Sequence, residues 1–168
     1  MTKVGTGPAG LAELLIEATD WGSYRQIDGV PAADIGQILT SLLRSDPEMI
    51  DAVEDSLENR IAPQANLYSV AEPAVSVLAA ALAGPRPRWV RITVLELMFL
   101  ILSAAPVADE VERGNDALGE RCISRVRESL WLIAHEALSD PSCYDAALDV
   151  LTIADPAGTA TNLVRSMH

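Results

Sequence analysis

Apolar residues recur along this chain at intervals of three and four, in blocks separated by Pro, Gly or Ser-Asp-Pro. That spacing is the period of an amphipathic helix, and it holds from one end of the chain to the other. The most apolar block is Trp89–Ala105, WVRITVLELMFLILSAA, preceded by Pro85 and Pro87 and ended by Pro106. On a helical wheel Val90, Val94, Leu97, Met98, Ile101 and Leu102 cover a broad arc, which leaves a narrow polar seam of Thr93, Glu96 and Ser103. Such a helix needs neighbours on several sides. Arg91 and Glu96 interrupt it, and it is too short to span a bilayer.

The remaining blocks read as the cover. A first helix over Ala9–Ala18 turns Leu11, Leu14, Leu15 and Ala18 inward, with Glu13 and Glu17 outward. The irregular stretch TDWGSYRQIDGVP follows, where Trp21 is expected to plug the core and Tyr24 lies in a long loop. A second helix, Ala32–Arg44, buries Ile35, Ile38, Leu39, Leu42 and Leu43. A third, Pro47–Ile61, buries Ile50, Val53, Leu57 and Ile61, with Asp46 as its cap and Pro47 in its first turn. Gln64–Ala71 is a connection and Glu72–Ala83 a helix stopped by Gly84. After the central helix, 106–115 reads as a polar loop. Asp116–Leu138 reads as one long amphipathic helix, with Ile123, Val126, Leu130, Ile133 and Ala137 inward and Arg121, Arg125 and Glu128 solvated. Pro141–Ala154 and a short last helix after Asp155-Pro156 complete the chain. The expectation is a single all-α domain over 1–168 with about seven or eight helices and a flexible stretch at 1–8.

Composition sharpens this picture. Apolar residues make up 49% and aromatics only 4%, so the core is aliphatic and helix-forming. Acids outnumber bases 24 to 12, a formal net charge of −12. Such a surface repels nucleic acid and anionic membranes and attracts a basic partner; plain solubility is the simpler role for the same charge. Lys3 is the only lysine, and the Arg-for-Lys and Ala usage suggests a GC-rich bacterial genome. The start, MTKVGTGPAG, lacks the apolar stretch of a signal peptide, which makes the cytoplasm the expected compartment.

Two segments align with each other: SDPEMIDAVEDSL, from Ser45 to Leu57, and SDPSCYDAALDVL, from Ser139 to Leu151. They share Ser-Asp-Pro, then Asp51/Asp145, Ala52/Ala146, Asp55/Asp149 and Leu57/Leu151, and lie 94 residues apart, twice 47. Helical hairpins recurring at roughly 40 to 47 residues mark HEAT and armadillo solenoids, so the expected architecture is a HEAT/armadillo-like stack of antiparallel hairpins. The stretches WGSYRQIDGVPAADIGQILTSLLRSDP and APQANLYSVAEPAVSVLAAAL also resemble a group of chiefly actinobacterial HEAT-like proteins. Gln64, Tyr68, Pro73 and Ala74 keep that group's pattern, whereas Pro63 stands where the group has His and Ala65 where it has Gly. The resemblance covers about Ala18 to Leu82. It implies a helical-repeat fold and, since some members look like immunity or accessory proteins near secreted toxins, a protein partner.

Candidate chemistry is sparse. Cys122, His135, Cys143 and His168 show no metal-ligand spacing, and His135-Glu136 is half of an H-E-x-x-H motif without its second His. No G-x-S-x-G elbow or phosphate loop occurs. No cofactor, metal or catalytic residue is therefore expected, and the two cysteines read as buried thiols. Trp131 and His135 form an i, i+4 row with Arg127 that serves either as cover or as a contact patch. The strongest surface feature is the outer row Glu48, Asp51, Asp55 and Glu58 of the third helix, with Glu54 beside it and Asp145 and Asp149 at the matching positions of the repeat. The expected function is a non-enzymatic protein-binding module, most concretely an immunity-type protein that occludes a basic toxin or enzyme. Its partner-binding residues are Glu48, Asp51, Asp55, Glu58, Asp145, Asp149, Trp21 and Tyr24. The alternative is a small ligand-binding or enzymatic domain with a pocket near Trp21, Tyr24 and Tyr68.

Overall fold

The apolar central helix forms as its sequence demands, as α5 (Arg88–Ser103), and several other helices of the fold pack directly on it. The computed structural model describes residues 10–168; the flexible stretch expected at 1–8 lies outside the described residues. Before α5 come α1 (Leu11–Ala18), α2 (Ile35–Leu43), α3 (Ile50–Ile61) and α4 (Ala71–Ala81). After it come α6 (Ala108–Glu112), α7 (Leu118–Arg127), α8 (Leu130–Ser139), α9 (Tyr144–Ala154) and α10 (Thr159–Ser166). The only strands among the described residues are β1 (Asn66–Leu67) and β2 (Ala105–Pro106), paired in parallel. The protein is all-α.

Helices α3, α4, α7 and α9 all pack on α5. They bury Val90, Val94, Leu95, Met98 and Ile101 almost completely. Each such side chain contributes about 1.5–3 kcal/mol through burial, and truncating one to Ala costs about 2–5 kcal/mol. α4 in turn lies between α1 and α7, and α9 lies against α8.

The Asp-Pro turns act as caps. Asp46 Oδ1 accepts from the Glu48 and Met49 amides at 3.1 and 3.0 Å, and Asp140 Oδ1 accepts from the Ser142 amide at 2.9 Å. Leu57 and Leu151, matched in the repeat, are both fully buried. Cys122 and Cys143 are buried free thiols, and burial pushes the Cys122 thiol up to about 12.

Several local expectations change. α1 turns Ala12 and Ile16 inward with Leu15 packed beside them, and leaves Leu11, Leu14 and Ala18 exposed; Glu13 on the same helix pairs with Arg86 at 2.7 Å. Residues 47–49 form a turn before α3, whose first helical residue is Ile50. The helix expected over 116–138 is two, α7 and α8, parted at Glu128–Ser129, where the Ser129 hydroxyl donates to the Val126 carbonyl. The polar loop expected at 106–115 contains β2 and α6. Among the described residues there are ten helices instead of seven or eight, the two added ones being α6 and the second half of that split helix. Thr93 is buried and does not join a polar seam.

The 106–115 segment is ordered by one buried charge, Glu110, whose side chain is 1% exposed. Its carboxylate takes both Nε and Nη2 of Arg25, at 3.1 and 2.6 Å. It also accepts from the Ser69 amide at 3.1 Å and the Asn115 amide group at 2.9 Å. Burial alone would raise this carboxyl, but Arg25, Asn115 and Ser69 outweigh it and hold it below its ordinary value. Arg121 extends the network by bonding both Asn115 and Glu72. Three irregular connections, 24–31, 63–70 and 104–115, are thereby tied together at one end of the bundle.

Trp21 plugs the core as expected. Its indole N–H donates to the Ile16 carbonyl at 2.9 Å, and the ring lies over Gly36 of α2. A Cβ at Gly36 would stand 2.6 Å from Trp21 Nε1, closer than any packed contact tolerates. Gly36→Ala is therefore expected to destabilise the fold by about 2 kcal/mol, lowering the melting temperature by roughly 4–8 °C. Thermal unfolding followed by circular dichroism checks this, and an unchanged midpoint would refute the packing described.

Candidate functional site

α3 leaves the core with an acidic outer side because its apolar positions, Ile50, Leu57 and Ile61, all turn inward. Glu48, Asp51 and Asp55 are exposed and Glu58 is half-buried. Glu54 is also half-buried, on the side of α3 that faces α5, where it meets Glu96. Among the described residues none of Glu48, Asp51, Glu54, Asp55, Glu58 or Glu96 makes an ion pair. Arg60, the one base on α3, points to Asp34 and Gln26 instead.

Uncompensated proximity shows in the carboxyls themselves. Glu54 is pushed up to about 7, first by burial against α5 and then by the charges of Glu96, Asp51, Glu58 and Asp55. Glu96 is raised too, by partial burial and then by Asp51. The sequence treated Glu54 as a bystander of the row; the structure makes it the centre. Only the packing angle of α3 on α5 could have revealed this, since 54 and 96 are remote in sequence.

Asp145 and Asp149 are exposed on α9, which packs against α5 as α3 does. Neither contributes to the raised Glu54 or Glu96, whose charged neighbours are the α3 acids and each other. Trp21, expected both to plug the core and to meet a partner, is turned into the core and is 7% exposed. Tyr24 lines a hollow of about 250 Å³ with Leu15, Thr19, Glu72 and Arg125. Tyr68 lines a different hollow of about 340 Å³, with Asp28, Asp109 and Arg113. Tyr24 and Tyr68 therefore line different hollows, and Trp21 lines neither of these two. Trp131 is 61% exposed, with His135 and Arg127 exposed beside it, and Arg127 Nε donates to the Ala154 carbonyl at the end of α9 at 2.8 Å. Arg121 and Arg125, expected to be solvated, pair with Glu72.

The seam expected at Glu96 and Ser103 is exposed, but its apolar members Trp89 and Phe99 went unread in the sequence. Trp89, Glu96, Phe99 and Ser103 are exposed along one side of the helix, with Ile92 and Leu100 half-buried between them. The Trp89 indole N–H donates to the Ser45 carbonyl at 2.8 Å, which fixes the ring beside the start of α3.

Among the described residues no three His, Cys, Asp or Glu side chains stand close enough to hold a metal ion. No helix there is long and apolar enough to cross a membrane. No family model, curated protein or solved structure matches this chain.

A carboxyl raised by folding binds its proton more tightly in the folded than in the unfolded state. Glu54 therefore lowers stability as pH climbs from about 4.5 to about 7, and the full penalty persists above that. After allowance for solvent screening of a half-exposed group the penalty is about 1 kcal/mol. Glu54→Gln is expected to raise the melting temperature by roughly 2–4 °C at pH 8 and to leave it nearly unchanged at pH 4.5. An equal shift at both pH values would show that the carboxyl is not strained by its neighbours.

Proposed function

We propose that this chain is a non-enzymatic protein-binding module of bacterial origin that engages a basic partner through the α3–α5 face. Its most concrete form is an immunity-type protein that occludes the basic groove of a toxin or enzyme in the cytoplasm. The observation that carries the reading is the set of six carboxylates on α3, the turn before it and α5 left without a counter-charge, while arginines elsewhere in the fold pair with acids. A surface of that kind draws a cationic partner at long range and accelerates encounter.

A HEAT-like repeat architecture belongs to the same proposal. The two Asp-Pro turns cap through the same Asp Oδ1-to-amide contact, and the residues matched with them share burial or exposure at Asp51/Asp145, Asp55/Asp149 and Leu57/Leu151. The resemblance to the actinobacterial group gains from Ala65, whose φ of 61° is the left-handed backbone that glycine adopts freely. Ala65 stands where that group has Gly. The alternative reading, a small-ligand or enzymatic domain, would have to use one of two separate hollows, since Tyr24 and Tyr68 line different ones.

Reversing Asp51 and Asp55 to Lys keeps α3 folded, because both side chains are exposed. Stopped-flow association with the partner recovered from the native host is expected to slow about tenfold in the double variant, with dissociation changed much less. The wild-type rate is expected to fall steeply with added salt. A rate insensitive to both the reversal and the salt would mean that the acidic face serves only to solvate the protein.

A further inference from the structure

A helix as apolar as α5 is expected to be covered on all sides, yet one strip of it is not. Trp89 and Phe99 are each 38% exposed, with Ile92 half-buried between them and Met49, at the start of α3, 54% exposed. Trp89 and Phe99 are ten residues apart, about 15 Å along the helix axis, the length of nearly three helical turns. The Trp89 ring is already held by its bond to Ser45, so little side-chain freedom is lost when it is covered.

Charge decides what covers the strip. Its midpoint is Glu96, and α3 lines it with Asp51, Glu54 and Glu58. Arg88 and Arg91 at the N-terminal end of α5 are held by Asp140 and Glu136, and Arg44 shares a hollow with Met49 and Val53, on the side of Met49 away from the α3 acids. A second copy of this chain would bring the same acids and a second net charge of −12 against them. Nucleic acid and anionic lipid are repelled for the same reason. An apolar strip edged by unpaired carboxylates fits an amphipathic helix whose apolar face is bordered by Lys or Arg.

We propose that the α5 strip Trp89–Ile92–Glu96–Phe99, flanked by Met49 and the Asp51–Glu54–Glu58 row of α3, is the docking site for a basic amphipathic helix of the partner. This rests on the reading of the α3–α5 face as the partner-binding surface and adds the mode of recognition. The apolar strip supplies short-range anchoring and register, and the carboxylates supply attraction and exclude acidic helices.

The test uses tryptophan emission from the full chain carrying Trp131→Phe, so that Trp89 is the exposed tryptophan and Trp21 remains buried. Three synthetic peptides of about eighteen residues serve as probes, each about 27 Å long as a helix. One is a Leu/Lys sequence with a continuous apolar face, the second the same residues scrambled to abolish that face, and the third the Leu/Glu counterpart of the first. The first is expected to bind saturably with a blue shift of Trp89 emission, the scrambled peptide at least tenfold more weakly, and the acidic one not at all. Phe99→Ala is expected to weaken the first peptide about tenfold. If that variant unfolds by circular dichroism, protection of Trp89 from acrylamide quenching in the Trp131→Phe chain gives the decision instead. Equal binding of the first two peptides, abolished by Asp51→Lys with Asp55→Lys, would overturn the helix-docking mode and leave the acidic-face reading standing. Binding by neither basic peptide would count against both, and so would binding unaffected by the double reversal with Trp89 unperturbed. A dimer of the free protein that hides Trp89 would also overturn the proposal.

Discussion

A helix that is apolar on nearly every side imposes its own architecture. α5 can leave water only if helices approach it from several directions, and α3, α4, α7 and α9 do so. Their order in space follows from which of them has an apolar face wide enough to touch α5 and which has to touch something else as well. α4 buries residues around most of its circumference, including Ala74, Val75, Val77, Leu78 and Ala81, and so sits between α1, α5 and α7. α3 has a much narrower apolar stripe and takes an outer position, which leaves its acidic side in solvent. The acidic face is thus a consequence of how α5 is covered, and its rigidity is inherited from the core.

The charged residues divide along the same lines. Arginines in the interior or at element junctions meet carboxylates that folding removes from water: Arg25 with Glu110, Arg86 with Glu13, Arg91 with Glu136 and Asp140. These pairs stabilise little in net terms, because desolvation offsets attraction, but leaving either partner alone would be costly. They act as register marks between segments far apart in sequence, as Arg25–Glu110 does for three connections at one end of the bundle. With the arginines so engaged, the surplus of acids accumulates where no such marks are needed, on α3 and along α5.

Much of this was legible in the residues. Leu–Ile spacing gave α2, α3 and α5, and the Asp-Pro turns announced their caps, because helix periodicity and capping are local properties. What stayed hidden was set by contacts between remote residues. Nothing near Leu11 and Leu14 shows that α1 will pack on α4 and α2 with Ala12 and Ile16 facing inward. Nothing near 106–115 shows that Glu110 will find Arg25 and turn a polar loop into β2 and α6. The break between α7 and α8 falls within an unbroken apolar period. The acidic row could be read from α3 alone. The pairing of Glu54 with Glu96, and the exposure of Trp89 and Phe99, required the placement of α3 on α5. That is why the sequence pointed to a charged surface without showing its apolar centre.

A solvated surface does not need this arrangement. Solubility is served by Glu48 and Asp55, which extend into water. It gains nothing from Glu54, a carboxyl half-removed from solvent and set against Glu96 and Asp51 so closely that it is pushed up to about 7. Folding would be better served by Gln or Ala at that position, and by Lys rather than Glu at 96. The fixed core prevents these carboxylates from moving apart, so their repulsion stays in the free molecule. A bound cation relieves that repulsion, which offsets part of the cost of stripping its water, and gains more from a held cluster than from the same charges spread over flexible side chains. The apolar strip beside them restricts which cations can take advantage, because Trp89 and Phe99 lose contact with water only under a partner that carries an apolar face of matching length. Held charge and uncovered apolar surface occur on the same two helices, and together they favour recognition over solvation as the role of this face.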